Sequence, residues 1–153
     1  MNFNLDDIDR RILAALQRDA TLSMDALAEA AGLSRNACWR RMRQMEGAGV
    51  IRGRVVLLDP AKVGCALQVF VMVRTSSHDA AWMEKFDRAV RILPEIVGAH
   101  RMTGDLDYVL RVRVADVPAY DAFYKKLIAL VPLSDISASF VMEDNKDTTE
   151  LPL

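Results

Sequence analysis

Two short stretches of this chain carry residue types able to do chemistry. The first, SRNACWRRMRQMEGAGVIRGR from Ser34 to Arg54, holds six arginines and one acidic residue, Glu46. The 153-residue chain has a formal net charge of −1, so this stretch contributes +5 and everything else −6. A basic patch on an otherwise acidic protein points to an anionic partner met at one place, because a general polycation would be basic throughout. The second stretch, TGDLDY over 103–108, sets Asp105 and Asp107 two residues apart. In a strand such carboxylates share a side and can do acid–base work. At a hairpin the same pair serves turn chemistry, with Asp105 accepting backbone N–H bonds beside Gly104.

The rest of the sequence argues against catalysis. Its histidines are His78 and His100, and it has no glycine-rich phosphate loop, HExxH or paired-cysteine spacing. Cys38 and Cys65 stand far apart, which suggests neither a zinc site nor a disulfide framework and fits a reducing cytoplasm. The expectation is a protein that is not an enzyme and uses no metal and no cofactor. The first dozen residues, MNFNLDDIDRRI, are acidic and polar where a secretory signal needs basic and then apolar residues. No run reaches the ~18 uninterrupted apolar residues of a membrane span, so a cytoplasmic protein with no membrane partner is expected. At 52% hydrophobic and 27% charged, the chain can bury one real core or two small ones.

Positioning the arginines requires helices. Asp6 can cap a first helix with Ile8, Ile12 and Leu16 on one side, and Ser23 a second carrying Leu27, Ala28 and Ala31. Gly32 then supplies a left-handed helix end, Leu33 an apolar plug and Ser34 the cap of a third helix, from about Arg35 to Glu46. Helix, short glycine turn, helix is the helix-turn-helix pattern. VIRGRVVLL reads as two short β segments around Gly53, a wing, followed by the linker DPAKVG.

At ~100° per residue, Cys38, Met42 and Met45 fall within about 40° of one direction and form the inward stripe of the third helix. Cys38 is therefore read as a small packing residue. Asn36, Arg40 and Arg43 lie about 140° to 200° round from it, with Trp39 on the flank at about 100°. Arginine can donate two bonds to guanine's acceptor edge and asparagine can pair with adenine, so this face suits a major groove. Ser34 and Arg35, at the positive end of the helix, suit phosphate, and Arg52 and Arg54 extend the basic surface into the wing. Trp39 can seal the helix interface or pack on a deoxyribose. Arg41 points between the two faces, toward a neighbouring helix or a phosphate.

Past the linker the periodicity changes. CALQVFVMV is apolar on both alternations, while AAWMEKFDRAVRIL spaces Trp82, Phe86, Val90 and Leu93 helically. RMTGDLDYVLRVRV reads as a hairpin, ADVPAYDAFYKKLIALV as a helix with Val117, Tyr120, Tyr124, Leu127 and Val131 on one side, and LSDISASFVM as a strand. Residues ~65 to 142 thus make two strand–helix–strand units, the order of a ferredoxin-like βαββαβ fold. Two helices cover one sheet face only. The doubly apolar first strand implies that a second copy covers the other.

LAEAAGLSRNACWRRMRQMEGAGVIRG resembles the helix-turn-helix of the Lrp/AsnC (feast/famine) transcription regulators. Leu27, Ala28, Gly32, Leu33, Ser34, Arg40, Arg41, Glu46, Gly49, Val50 and Ile51 hold that family's pattern. TGDLDYVLRV and the terminal NKDTTELPL, with Lys146, Thr148, Thr149, Leu151 and Pro152, extend the likeness through the second half. The resemblance implies an α+β protein: a winged helix-turn-helix over 1–60, with wing and linker over 50–64, and a ferredoxin-like effector-binding and oligomerisation domain over 65–153. It implies a double-stranded DNA partner with a roughly palindromic operator, and homodimers assembling commonly up to octamers. It further implies an amino acid effector held between dimers by Gly104, Asp105, Asp107 and Tyr108, with Met102 and Thr103 beside them. An acceptor for an ammonium group and N–H donors for a carboxylate are what a turn with Asp and Gly offers. Without the resemblance, a small-molecule-binding module or a protein–protein adaptor remains open.

Overall fold

The computed structural model describes every residue except Met1, Asn2, Ser76 and His78, so His78 lies outside the described residues. The chain divides into two compact units, one running to Val56 and including the tail Lys146–Leu153, the other Leu57–Asn145. The domain expected over 65–153 includes this tail. In the structure Leu151 donates its N–H to Gln17 Oε1 (2.7 Å), its carbonyl accepts from Gln17 Nε2 (3.2 Å), and Glu150 meets Arg18 at 3.3 Å, all within the first unit.

The first unit packs three helices, α1 (Asp7–Arg18), α2 (Met24–Ala31) and α3 (Arg35–Gly47). Each begins where a side chain can accept an orphan N–H. Asp6 accepts from Ile8 N and Asp9 N at 2.9 and 2.8 Å, and Asp9 reaches back to Asp6 N at 3.2 Å, closing a capping box. Ser23 caps α2 and Ser34 caps α3. Gly32, at φ 71°, turns the chain between α2 and α3 in a conformation that a side chain would strain. Ile12, Leu13, Leu27, Ala28, Ala31, Cys38, Met42 and Met45 form the core, so the inward stripe of α3 is the one its spacing indicates.

The expected wing strands are absent: residues 52–59 carry no strand. A two-residue hairpin turn needs positive φ, which Gly53 does not adopt, and a lone hairpin gains too little to hold itself. Val55 and Val56 are 80% and 83% exposed, so no burial offsets the ordering cost. The following DPAKVG closes a turn in which Cys65 N donates to Pro60 O at 2.8 Å.

The second unit runs β1 (Leu67–Arg74), α4 (Ala80–Ile92), β2 (Ile96–Arg101), β3 (Tyr108–Val114), α5 (Val117–Leu130) and β4 (Asp135–Phe140). The strands form one antiparallel sheet in the order β2-β3-β1-β4, the ferredoxin-like arrangement. Val69, Val71 and Val73 of β1 and Leu110, Val112 and Val114 of β3 pack with Trp82, Phe86, Ala89, Phe123 and Leu127 of the helices. The stripe of α5 centres on Phe123 and Leu127, whereas Val117, at the first helical position, is exposed. β2 starts upstream of the hairpin expected from RMTGDLDY, and residues 102–107 are its loop. Asp105 and Asp107 therefore do not share a strand face.

Alternate residues of β1 point away from the helices. Phe70, in register with Arg111 and Ser139, is 37% exposed, and Met72, in register with Val109 and Ser137, is half-buried. Among the described residues no helix is long and apolar enough to cross a membrane.

Candidate nucleic-acid interface and ligand hairpin

The outward face of α3 presents Asn36, Trp39, Arg40 and Arg43, all exposed. Trp39 is 55% exposed, so it does not seal the helix interface; it borders a cleft of about 220 Å³ lined also by Leu22, Met24, Arg43, Glu46 and Arg54. The side chains of Asn36, Arg40 and Arg52 have no hydrogen-bond or ion-pair partner among the described residues. Ser34 spends its hydroxyl accepting from Ala37 N at 3.4 Å, and Arg35 meets Asp25 at 3.0 Å. Arg52 and Arg54 sit on the irregular segment after α3.

Arg41 resolves into an internal strut. One guanidinium nitrogen lies 2.7 Å from Asp6 and 2.8 Å from Asp9, tying α3 to the start of α1. The hydrogen bonds to Asp9 and then Asp6 hold Arg41 still more firmly protonated than usual. Asp6 is in turn held below the ordinary carboxylate range, first by the Asp9 N–H and then by Arg41. Burial pushes the Cys38 thiol up, away from the reactive thiolate.

Sequence reasoning missed Glu46 as a partner. Its Oε2 accepts from Arg43 Nη1 at 3.1 Å and its Oε1 lies 3.8 Å from Arg54 Nη2. The i, i+3 spacing of Arg43 and Glu46 was legible; the approach of Arg54 depends on the path of the chain beyond Gly49, which no local pattern fixes.

In the second unit, the loop over 102–107 brings Met102, Thr103, Gly104 and Asp105 to one exposed place. Gly104 has φ 101° with open space around it, so only the backbone conformation demands glycine there. Asp105 is exposed and its carbonyl accepts from Arg74 Nε at 3.0 Å. Asp107 Oδ2 accepts from Thr75 N at 2.8 Å and its N–H donates to Val73 O at 3.1 Å, which pins the loop to the end of β1. Tyr108 is turned to the helices, its ring 4.3 Å from Phe86 and 5.8 Å from Trp82. The hairpin residues thus divide: Asp105 and its neighbours stand open, Asp107 braces the loop, and Tyr108 joins the edge of the core.

A capped helix-turn-helix bearing an exposed Asn/Arg face, joined to an antiparallel βαββαβ unit, defines a two-part DNA-binding transcription regulator. Residues 5–52 match the winged helix-turn-helix DNA-binding family and residues 68–151 the Lrp/AsnC ligand binding domain. The chain belongs to the Lrp/AsnC family. It is 49% identical to the DNA-binding transcriptional activator DecR of Escherichia coli K12, over 97% of this chain and 99% of that one. An AsnC family transcriptional regulator from Agrobacterium tumefaciens has the same fold, with TM-score 0.93, 52% identity and 97% of both chains covered. The Neisseria meningitidis regulator NMB0573, solved as a complex with L-Met, matches with TM-score 0.92 and 35% identity over 97% of both chains. All three are transcription regulators by name, and DecR is named as a DNA-binding one.

Proposed function

We propose that this regulator reads a specific operator with Asn36, Arg40 and Arg43 in the major groove, while Ser34, Arg35, Trp39, Arg52 and Arg54 lie along the backbone. The observation that carries the reading is the outward face of α3, where one amide and two guanidinium groups stand exposed on a capped helix. The side chains of Arg40 and Asn36 have no partner among the described residues and so reach bases without breaking an internal contact, and each good bidentate pair is worth roughly 1–3 kcal/mol of discrimination. Two heads in a homodimer would enter successive grooves about 34 Å apart, so the operator is roughly palindromic; a regulator of this DNA-binding family acts in the cytoplasm.

The second unit binds a small amino acid-type effector at the 102–108 hairpin, between dimers that assemble further, commonly to octamers. The neighbour holding L-Met supports an amino acid as the ligand class. The exposed Asp105 offers an acceptor for its ammonium group. Effector binding alters DNA binding only through a difference in affinity between two arrangements of the assembly.

Selection of bound duplexes from a random pool, with and without a panel of L-amino acids, tests partner, operator and coupling together. A palindromic consensus is expected, shifted in affinity by at least one amino acid. Arg40→Ala and Arg43→Ala should each weaken the selected operator about tenfold or more and relax base preference. Unchanged operator binding by the folded double variant overturns the assignment of this face.

A further inference from the structure

The basic stretch that opens onto DNA is largely neutralised from within. Arg35 meets Asp25, Arg41 meets Asp6 and Asp9, and Arg43 and Arg54 share Glu46. The first two contacts join helices of the head. Glu46 differs, because its two arginines both belong to the surface offered to DNA, one on the reading helix and one on the segment after it. Its side chain is 30% exposed, against 66% for Arg43 and 49% for Arg54, so a partly sheltered carboxylate holds two more exposed guanidinium groups. Among the described residues no wing strands fix Arg54, and an ion pair to Glu46 at 3.8 Å ties this arginine to α3.

The geometry points to Glu46 as a specificity-determining positioning residue for operator recognition. It acts on DNA through Arg43 and Arg54 and touches no base itself, and the inference rests on the reading of those two arginines given above. Its role has two separable parts. The carboxylate cancels one positive charge of the patch, which weakens attraction to any duplex alike, since non-specific affinity is the release of counterions by unpaired cations. It also orders two long side chains before DNA arrives, so less side-chain entropy is lost when Arg43 meets its base and Arg54 its phosphate. The first effect lowers affinity for wrong sequences; the second favours the right one.

Two substitutions separate the parts. Glu46→Gln keeps the shape and removes the charge, whereas Glu46→Asp keeps the charge and shortens the reach to both arginines. The experiment titrates the full-length wild type and both variants by fluorescence anisotropy. The probes are a duplex selected by the wild type and a scrambled duplex of equal length, over a range of salt concentrations. For Glu46→Gln, the plot of log affinity against log salt should steepen by about 0.9 per engaged head. Affinity for the scrambled duplex should rise roughly fivefold per head at ~0.15 M salt, as that slope dictates. The selected-to-scrambled ratio falls. Glu46→Asp should leave the salt slope at the wild-type value and lower the ratio.

Slopes and ratios equal to the wild type in both variants overturn the proposal. So does a fall in affinity for both duplexes in equal measure, which marks a merely structural role. Arg43→Ala and Arg54→Ala are measured alongside. If they bind as the wild type does, it is the DNA-contact reading that has failed; if they lose affinity while the Glu46 variants are unchanged, only the role of Glu46 has.

Discussion

The aspartates of the hairpin show how much a side chain's work depends on what its neighbours supply. Asp105 and Asp107 look equivalent in sequence, yet Asp107 accepts the Thr75 N–H and braces the loop, while Asp105 stands exposed with its carbonyl engaged by Arg74. Removal of a partly buried acceptor leaves its donor unpaired, so Asp107→Ala should destabilise the second unit by about 1–3 kcal/mol. Asp105→Asn should leave the melting temperature unchanged and lower affinity for the responsive L-amino acid tenfold or more, read by isothermal titration. Equal affinity in that variant removes Asp105 from the site. The sequence could not divide the two roles, because the decision lies with Thr75, some thirty residues away. It did divide α3, since the 3.6-residue period places Cys38, Met42 and Met45 inward with no long-range information. Glu46 and Arg41 fall between these cases: their own directions were legible, but their partners on α1 and beyond Gly49 were not.

Among elements, the strut between α1 and α3 sets how α3 is held. Asp9, 4% exposed, serves the capping box and Arg41 at once. Asp9→Ala should therefore cost the first unit about 1–3 kcal/mol, by leaving Asp6 N and part of Arg41 without their acceptor. The same strut makes the unit sensitive to acid. Because the folded state depresses the Asp6 value, its contribution is complete above the ordinary carboxylate range and is lost as pH falls through the depressed one. Unfolding from about pH 5 downward, followed by Trp39 fluorescence in a Trp82→Phe background, should show a loss that is shallower in Asp6→Asn. An identical acid profile would mean that other groups govern it; Asp19, held low by the Thr21 hydroxyl, is one. Helix boundaries were legible because Asp6, Ser23 and Ser34 are strong caps. The strands expected in the wing do not form, because VIRGRVVLL has strand-like residues but no third strand to pair with and no positive-φ turn.

For the whole molecule, the decisive surface is the sheet face that the helices leave open. β1 is apolar on both alternations: Val69, Val71 and Val73 enter the core, and Phe70 and Met72 point the other way, between Arg111 and Val109 of β3 and Ser139 and Ser137 of β4. A sheet solvated on one face would put polar residues at those central positions, so Phe70 and Met72 there support the proposed homodimer, in which a second copy of the same face would cover them. A two-fold axis through it would pair like with like and give each operator two heads. Phe70→Asp places a charge at that centre while sparing every residue assigned to DNA or effector. By sedimentation velocity it should break the face-to-face dimer and leave a smaller species than the wild type, with unchanged far-ultraviolet circular dichroism. Operator affinity should then fall by about a hundredfold or more, because the second head no longer binds at high effective concentration. Binding to a single half-site should persist, with the same base preference, since Asn36, Arg40 and Arg43 are untouched. Were Phe70→Asp to sediment as the wild type does, the open face would not be the interface, and the two heads would have to be joined through another surface.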